Sequence, residues 1–172
     1  MSLRVLHVLD HSIPLHSGYG FRTRAILEQQ RAFGWETEQL TGPKQGRSED
    51  PVEEVDGLRF HRTPAAAGSL LPEPVAVIRA LERRLDELIP RLRPDVVHAH
   101  SPVLDGLAAL RAARRHGVPV VYEVRAFWED AAVDHGTTRE GSLRYRLSRG
   151  LETWTLRHAD AVTCICEGLR RD

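Results

Sequence analysis

The chain alternates between short apolar runs and longer segments in which apolar residues recur every three or four positions. A short apolar run is typical of a strand buried in a parallel sheet, and the longer recurrence is typical of an amphipathic helix. The pattern predicts strands at 3–9, 35–40, 52–55, 58–61, 96–100, 119–124 and 161–166. It predicts helices at 19–33, 75–92, 104–116 and 143–158, with the start of another at 167–172. This alternation favours an α/β, Rossmann-like domain of three layers with a mostly parallel sheet.

Length and charge narrow the class further. A chain of 172 residues is long enough for one domain with its own core. Lys+Arg and Asp+Glu number 24 each, so no strong field attracts nucleic acid. No run of 18 apolar residues predicts a membrane span, and the N-terminus lacks a signal-peptide pattern. Cys164 and Cys166 are too close in sequence for a disulfide to link distant parts of the fold, which predicts a reducing cytoplasm. We expect them to form a buried pair on the last strand, without a metal.

Glycines mark the point where the loop after the first strand enters a helix. Ligands of an open parallel sheet bind beyond the carboxyl ends of its strands, which selects this loop. Glycine admits a close backbone approach, and a helix N-terminus offers N–H groups to a phosphate or a sugar hydroxyl. The substrate-binding residues predicted here are Ser17, Gly18, Tyr19 and Gly20. Thr23 occupies the third glycine position of a dinucleotide fingerprint, which disfavours that class, and a plain loop turn is the alternative.

Two histidines lie two residues apart on the predicted strand 96–100. His98 and His100 therefore point to the same face. We expect His98 to be the deeper one, as a hydrogen-bonded core residue, and His100 to reach a ligand from the strand's end. His100 is the candidate catalytic residue, with a structural role as the alternative. A metal needs a third ligand, for which Asp10 and His11 are the nearby candidates, and we predict no metal.

The segment 122–130 (YEVRAFWED) brings an arginine, aromatic residues and acids together after the strand 119–124. Arg125 can hold a phosphate or a carboxylate with two parallel N–H groups. We predict that Arg125 and Glu129 bind substrate, and the alternative is a salt bridge between them. The sequence contains no nucleophile elbow, no P-loop and no zinc-protease motif.

Four stretches together resemble the N-terminal domain of a family 4 (group 1) glycosyltransferase of the GT-B fold. They are residues 3–37, 56–64, 93–130 and 158–172. The resemblance implies that 1–172 form the acceptor-side domain, which faces a second Rossmann-like domain across a cleft. That C-terminal domain, which binds the nucleotide-sugar, is absent from this chain. We therefore expect the fragment alone to be inactive.

The same resemblance implies a function. Family members move a sugar from a nucleotide-sugar to a glycan or lipid-linked acceptor, with retention of configuration and without a metal or other cofactor. SGYGFRT and YEVRAFWED are similar to a bacterial subgroup linked to surface polysaccharide. By resemblance His100 matches the histidine that contacts the transferred sugar, Gly18 approaches the donor phosphates, and Arg125 lies at the cleft mouth. Arginine-rich helices suggest a peripheral contact with the inner membrane face, and solvated helix faces are the alternative.

Two other classes fit the same pattern of elements. A nucleotide-sugar epimerase has the same two-domain fold. A non-catalytic α/β regulatory or binding module would also alternate strands and helices. A receiver-like module needs an acidic cluster after its first strand, and Asp10 stands alone among histidines there, which disfavours it.

Overall fold

The structure, a computed structural model, describes residues 2–46, 50–64 and 69–171. Its strands are β1 (Arg4–Leu9), β2 (Glu36–Thr41), β3 (Val52–Val55), β4 (Leu58–Arg62), β5 (Val96–His100), β6 (Val120–Val124) and β7 (Ala161–Cys164). Its helices are α1 (Gly18–Ala32), α2 (Glu73–Leu92), α3 (Val103–His116), α4 (Trp128–Asp134), α5 (Leu143–His158) and α6 (Glu167–Arg171). One turn of 3-10 helix, Pro43–Gln45, follows β2.

The strands form a single sheet in the order β3-β4-β2-β1-β5-β6-β7. All neighbouring pairs are parallel except the hairpin of β3 and β4. Asp56 and Gly57 turn this hairpin with positive φ angles of 52° and 72°, as the Asp-Gly pair predicts. Helices pack on both faces of the sheet. The predicted α/β, Rossmann-like architecture is therefore confirmed.

The structure differs from the predicted elements mainly after β6. Helix α4 was not predicted, because seven residues are too few to show a helical recurrence. Strand β7 ends at Cys164 and lies at the edge of the sheet, so Cys166 is exposed and Cys164 only half-buried. The prediction of a buried cysteine pair is thus wrong. Residues 47–49 and 65–68, which fall between the predicted elements, lie outside the described residues.

The central strands present one apolar face and one polar face. Leu6 and Val97 belong to the large core that packs under α2 and α3. The next residues along the same strands, His7 and His98, point to the opposite face, which α1 covers. Register places His7 beside His98. A buried polar layer therefore lies between α1 and the middle of the sheet.

Within the described ranges, no helix combines the length and the apolar character that crossing a bilayer requires.

Candidate functional site

The loop between β1 and α1 ends in a helix cap that belongs to the predicted site. The Ser17 hydroxyl oxygen accepts a hydrogen bond from the Gly20 N–H at 3.0 Å. A Cβ on Gly20 would lie 3.1 Å from the Leu15 carbonyl oxygen, so packing explains this glycine. Gly18 is exposed, and an added Cβ would meet nothing within 4 Å. The backbone at Gly18 is therefore accessible to a ligand.

Arg125 connects the predicted segments in one hydrogen-bond network beneath α1. Its Nη2 lies 2.7 Å from His100 Nδ1. Its Nη1 donates to Thr23 Oγ1 at 3.0 Å and to the Tyr19 carbonyl oxygen at 3.2 Å. The guanidinium carbon also lies 4.2 Å from the centroid of the Tyr19 ring. The start of α1, the end of β5 and the residue after β6 thus meet at one edge of the sheet.

The ionic partner of Arg125 is Glu123, whose Oε1 accepts from the Arg125 Nε at 2.8 Å. Burial opposes the charged form of Glu123, but the adjacent Arg125 guanidinium favours it, so the pKa of this carboxyl lies below its ordinary value. The pair is therefore ionised and mutually neutralised. The alternative of an Arg125–Glu129 salt bridge is wrong, because Arg125 pairs with Glu123, whereas Glu129 lies on α4 near Tyr145 and Glu152.

Hydrogen bonds that start at Arg125 fix the proton positions on two buried histidines. A guanidinium can only donate, so His100 Nδ1 accepts and the proton of His100 is on Nε2. His100 Nε2 then donates to His7 Nδ1 at 2.9 Å, and His7 Nε2 donates to Gln30 Oε1 at 2.8 Å. Burial lowers the pKa of His7 to about 3 and the pKa of His100 well below its ordinary value. Both rings are neutral donors and acceptors at physiological pH.

The depths of the two β5 histidines are the reverse of the prediction. His100 has no exposed surface, whereas 13% of the His98 side chain is exposed. His98 Nε2 has no hydrogen-bond partner in the described part of the chain, and it lies 3.6 Å from Glu123 Oε2. His100 is covered because Arg125, beyond the end of the neighbouring strand, folds back over it. Its imidazole faces a guanidinium and not solvent, and its role in the reaction stays a prediction.

Three imidazoles gather in the polar layer, where His7, His98 and His100 have nitrogens within 4.8 Å of one another. Such a set can ligate a metal, and its third member is His7 rather than the Asp10 or His11 that we considered. His7 and His100, however, use both ring nitrogens in hydrogen bonds, one of them to a cation. The arrangement is that of a proton-ordered network, and a metal would have to break at least one of these hydrogen bonds.

A cavity of about 670 Å³ opens beside this network, at the ends of β1 and β2. We call it the polar compartment after the charged side chains of Asp10, Lys44 and Asp105 in its wall. Trp128 and apolar side chains such as those of Leu71, Val77 and Leu104 form the rest of the wall. Lys44 Nζ lies 2.8 Å from Asp10 Oδ2 and 5.7 Å from the centroid of a Trp128 ring. Carboxylate, ammonium and indole groups around one space can bind a hydroxylated ring by hydrogen bonds and stacking.

Asp105 contributes a buried carboxyl group to the polar compartment. Its Oδ2 has no hydrogen-bond partner among the residues the structure describes. Burial, reinforced by the Asp10 carboxylate, raises the pKa of Asp105 well above its ordinary value, which favours the protonated form. The sequence did not reveal it, because an acid in the first turn of a helix such as α3 is ordinary.

Glu129 lies apart from the network of Arg125. It is buried on α4 and lines a cavity of about 630 Å³ with Tyr145 and Glu152. The Tyr122 hydroxyl donates to Glu152 Oε1 at 2.8 Å. Burial raises the pKa of Glu129, and burial with the nearby Glu129 raises the pKa of Glu152 to about 7. Of the predicted substrate-binding residues, Glu129 is the one that the structure does not bring to the shared edge.

The fold and the edge together define a Rossmann-like domain whose ligand side carries a helix N-terminus, a buried arginine–histidine pair and a polar compartment. Residues 17–172 match the model of the glycosyl transferase 4-like domain. The chain belongs to this glycosyltransferase family, which confirms the predicted resemblance.

A GDP-mannose-dependent alpha-mannosyltransferase of Mycobacterium tuberculosis (strain CDC 1551 / Oshkosh) is 36% identical to the chain over 125 residues. The match covers 69% of this chain and 31% of that protein. The chain therefore spans about a third of the length of the curated relatives it matches.

Solved structures resemble the chain in fold. Sucrose-phosphate synthase from Thermosynechococcus elongatus has a TM-score of 0.65 at 16% identity, over 93% of this chain and 41% of that chain. UDP-N-acetylglucosamine 2-epimerase from Rickettsia bellii has a TM-score of 0.63 at 13% identity, over 99% and 41%. At these identities the likeness concerns the fold alone. The family match favours a transferase over the epimerase and the non-catalytic module.

Proposed function

We propose that this chain is the acceptor-facing half of a retaining glycosyltransferase that acts in surface-polysaccharide synthesis. It would move a sugar from a nucleoside diphosphate sugar to an acceptor hydroxyl, together with a second, donor-binding domain. The family match supports the reaction class, and the partial coverage of the relatives supports the second domain. The donor is a co-substrate, and the proposal includes no further cofactor and no metal.

The observation that carries the proposal is the meeting of Gly18, Arg125 and the polar compartment at one sheet edge. Sugar transfer from a diphosphate places negative charge on the leaving group, which N–H groups and cations stabilise. The exposed backbone at Gly18 and the positive end of α1 can approach that charge. Arg125 is buried and paired with Glu123, and it hydrogen-bonds to both α1 and β5, so it holds the N-terminus of α1 in place.

His100 acts on the nucleotide-sugar through Arg125 in this proposal. Its Nδ1 lone pair holds the Arg125 Nη2, and Glu123 holds the Nε, so the guanidinium has one orientation. His7 and Gln30 hold His100 in the tautomer that leaves Nδ1 free to accept. Hydrogen-bond donors that are already fixed need little reorganisation when charge develops on the leaving group, which is how preorganised groups accelerate a reaction. His100 is thus a positioning residue here.

The polar compartment is the proposed binding place of the acceptor's hydroxylated head. Asp10 and Asp105 offer carboxyl oxygens to hydroxyl groups, and Lys44 offers N–H donors. Trp128 offers an aromatic face. The mannosyltransferase relative makes GDP-mannose the first donor to test.

The test is nucleotide release from a panel of nucleoside diphosphate sugars, GDP-mannose first, by a protein that carries residues 1–172 with a donor-binding domain. We expect Arg125→Lys to lower kcat/KM about 10²-fold, because a single ammonium cannot replace three directed contacts. Arg111→Lys is the matched control, since Arg111 is exposed and pairs with Glu82 at 3.1 Å. Residues 1–172 alone should release no nucleotide.

Two results would count against this function. If no donor in the panel is consumed by the two-domain protein, sugar transfer is the wrong reaction. If Arg125→Lys folds normally by circular dichroism and retains full kcat/KM, the contacts of Arg125 with α1 and β5 have no part in the reaction.

A further inference from the structure

Asp105 holds a buried carboxyl oxygen that has no partner in the part of the chain that the structure describes. The residue is 1% exposed and lines the polar compartment from the first turn of α3. Its Oδ2 makes no hydrogen bond there. Buried polar atoms are rarely left unpaired, because each one costs free energy. A ligand that brings a hydrogen-bond donor to this oxygen therefore gains affinity.

Carboxyl groups outnumber cations in the wall of this cavity. Among the described residues that line it, Asp10, Glu73 and Asp105 are acidic and Lys44 alone is basic. Lys44 already has a partner, since its Nζ lies 2.8 Å from Asp10 Oδ2. The described wall therefore holds no second cation for Asp105, and the complementary ligand is one that brings a positive charge.

The other side chains of the wall strengthen this preference. Leu71 and Val77 line the same space. The effective dielectric constant beside such side chains is lower than in water, so a cation and a carboxylate in contact attract each other more strongly. Lys44 Nζ lies 5.7 Å from the centroid of a Trp128 ring, so this indole already faces an ammonium group.

We propose that the ligand of the polar compartment carries a protonated amine, which pairs with Asp105 as Lys44 pairs with Asp10. The ring that bears the amine would lie beside Trp128, so the ligand class is an amino sugar. Identifying this ligand as the acceptor rests on the proposed function, whereas the amine site itself does not. A neutral sugar can donate a hydroxyl hydrogen bond to Asp105, but a charge-assisted hydrogen bond is about twice as strong.

The test compares glucosamine, glucose and N-acetylglucosamine as ligands of the 172-residue protein at pH 6. The three sugars differ only at carbon 2, and only glucosamine carries a positive charge. We expect glucosamine to bind about tenfold more tightly than either neutral sugar, because it alone forms a charge-assisted pair with Asp105. Equal affinities for the three sugars, or no binding of glucosamine, would overturn the inference.

Tryptophan signals show where the sugar binds. The chain has three tryptophans, Trp35, Trp128 and Trp154, and only Trp128 lines the polar compartment. In ¹⁵N NMR titrations the Trp128 indole N–H, assigned with Trp128→Phe, should shift with glucosamine while the other two stay unchanged. A saturable shift at Trp35 or Trp154 without one at Trp128 would assign the amine to another surface.

A matched pair of charge variants assigns the pairing to Asp105. Asp105→Asn keeps the shape and removes the charge, so glucosamine should then bind only as tightly as glucose. The control is Asp134→Asn, which removes the same charge from an exposed position at the end of α4, outside the cavity. It should change the affinity by less than about twofold. Equal losses in the two variants would reduce the effect to a general attraction of cations and refute the pairing. The three-sugar comparison uses the unchanged protein and stands even if Asp105→Asn does not fold.

The outcomes separate this inference from the proposed function. With the two-domain protein, nucleotide release that is equally fast with glucose and with glucosamine as acceptor would preserve sugar transfer and refute the amino-sugar acceptor. Amine-selective binding at Trp128 by a protein that consumes no nucleotide-sugar would preserve the amine site and refute the transferase.

Discussion

Glu152 gives the sharpest test of the buried electrostatics, through the variant Glu152→Gln. Its side chain is 2% exposed on α5, and its Oε1 accepts from the Tyr122 hydroxyl at 2.8 Å. Burial is the main cause that raises its pKa from 4.5 to about 7, with the neighbouring Glu129 acting in the same direction. A glutamine is neutral at every pH and keeps an oxygen that can accept from Tyr122.

The sign of the pH effect follows from proton binding. Between pH 4.5 and about 7 the folded chain retains a proton on Glu152 that the unfolded chain has lost. The contribution to stability is therefore complete below pH 4.5 and is lost as the pH rises through about 7. One pKa unit corresponds to about 1.4 kcal/mol, so the wild type should lose about 2 to 3 kcal/mol between pH 5 and pH 8 relative to Glu152→Gln.

The assay is urea unfolding of both proteins at pH 5, 6, 7 and 8. The lowered pKa values of His7 and His98 act in the opposite direction, but they are common to both proteins and cancel in the difference. Glu54→Gln is the control, since this exposed carboxylate makes no ion pair in the described chain. A difference in unfolding free energy that is constant from pH 5 to pH 8 would refute a neutral, buried Glu152.

Two further predictions concern packing and proton position. Gly106→Ala should destabilise the fold by about 1 to 3 kcal/mol in urea unfolding, because the added Cβ would lie 2.7 Å from carbons of Thr155 and Tyr122. An unchanged unfolding midpoint would contradict this close packing of α3. In ¹⁵N NMR spectra, His7 and His100 should both carry their proton on Nε2 and stay neutral at pH 5. A proton on Nδ1 of His100 would disprove the chain of hydrogen bonds that starts at Arg125.

The sheet was predictable because its determinants are local. The apolar runs around β1 and β5 and the Asp-Gly turn at 56–57 each specify an element by themselves. The rule that ligands bind at the carboxyl ends of parallel strands then placed Gly18, His100 and Arg125 at one edge of the sheet. In the structure Arg125 hydrogen-bonds to Tyr19 on α1 and to His100 on β5.

The contents of that edge were less predictable. Residue spacing indicated that His98 and His100 share a face of the sheet. It did not indicate how deeply each is buried, and His98 proved to be the less buried of the two. His7 lies within an apolar run, and nothing in its spacing indicated that it is the hydrogen-bond partner of His100. The polar compartment was missed as a unit, because Lys44 and Asp105 look like ordinary loop and helix residues.

By itself, then, the sequence determined the α/β class and the glycosyltransferase family, and it predicted the edge of the sheet that carries the candidate site, since motifs and periodicities depend on residues close together in the sequence. Only the tertiary structure decided that Glu123 rather than Glu129 neutralises Arg125, and that Asp10, Lys44 and Asp105 line one cavity. Such choices depend on contacts of about 3 Å between residues as far as 106 positions apart, and helix packing sets those distances.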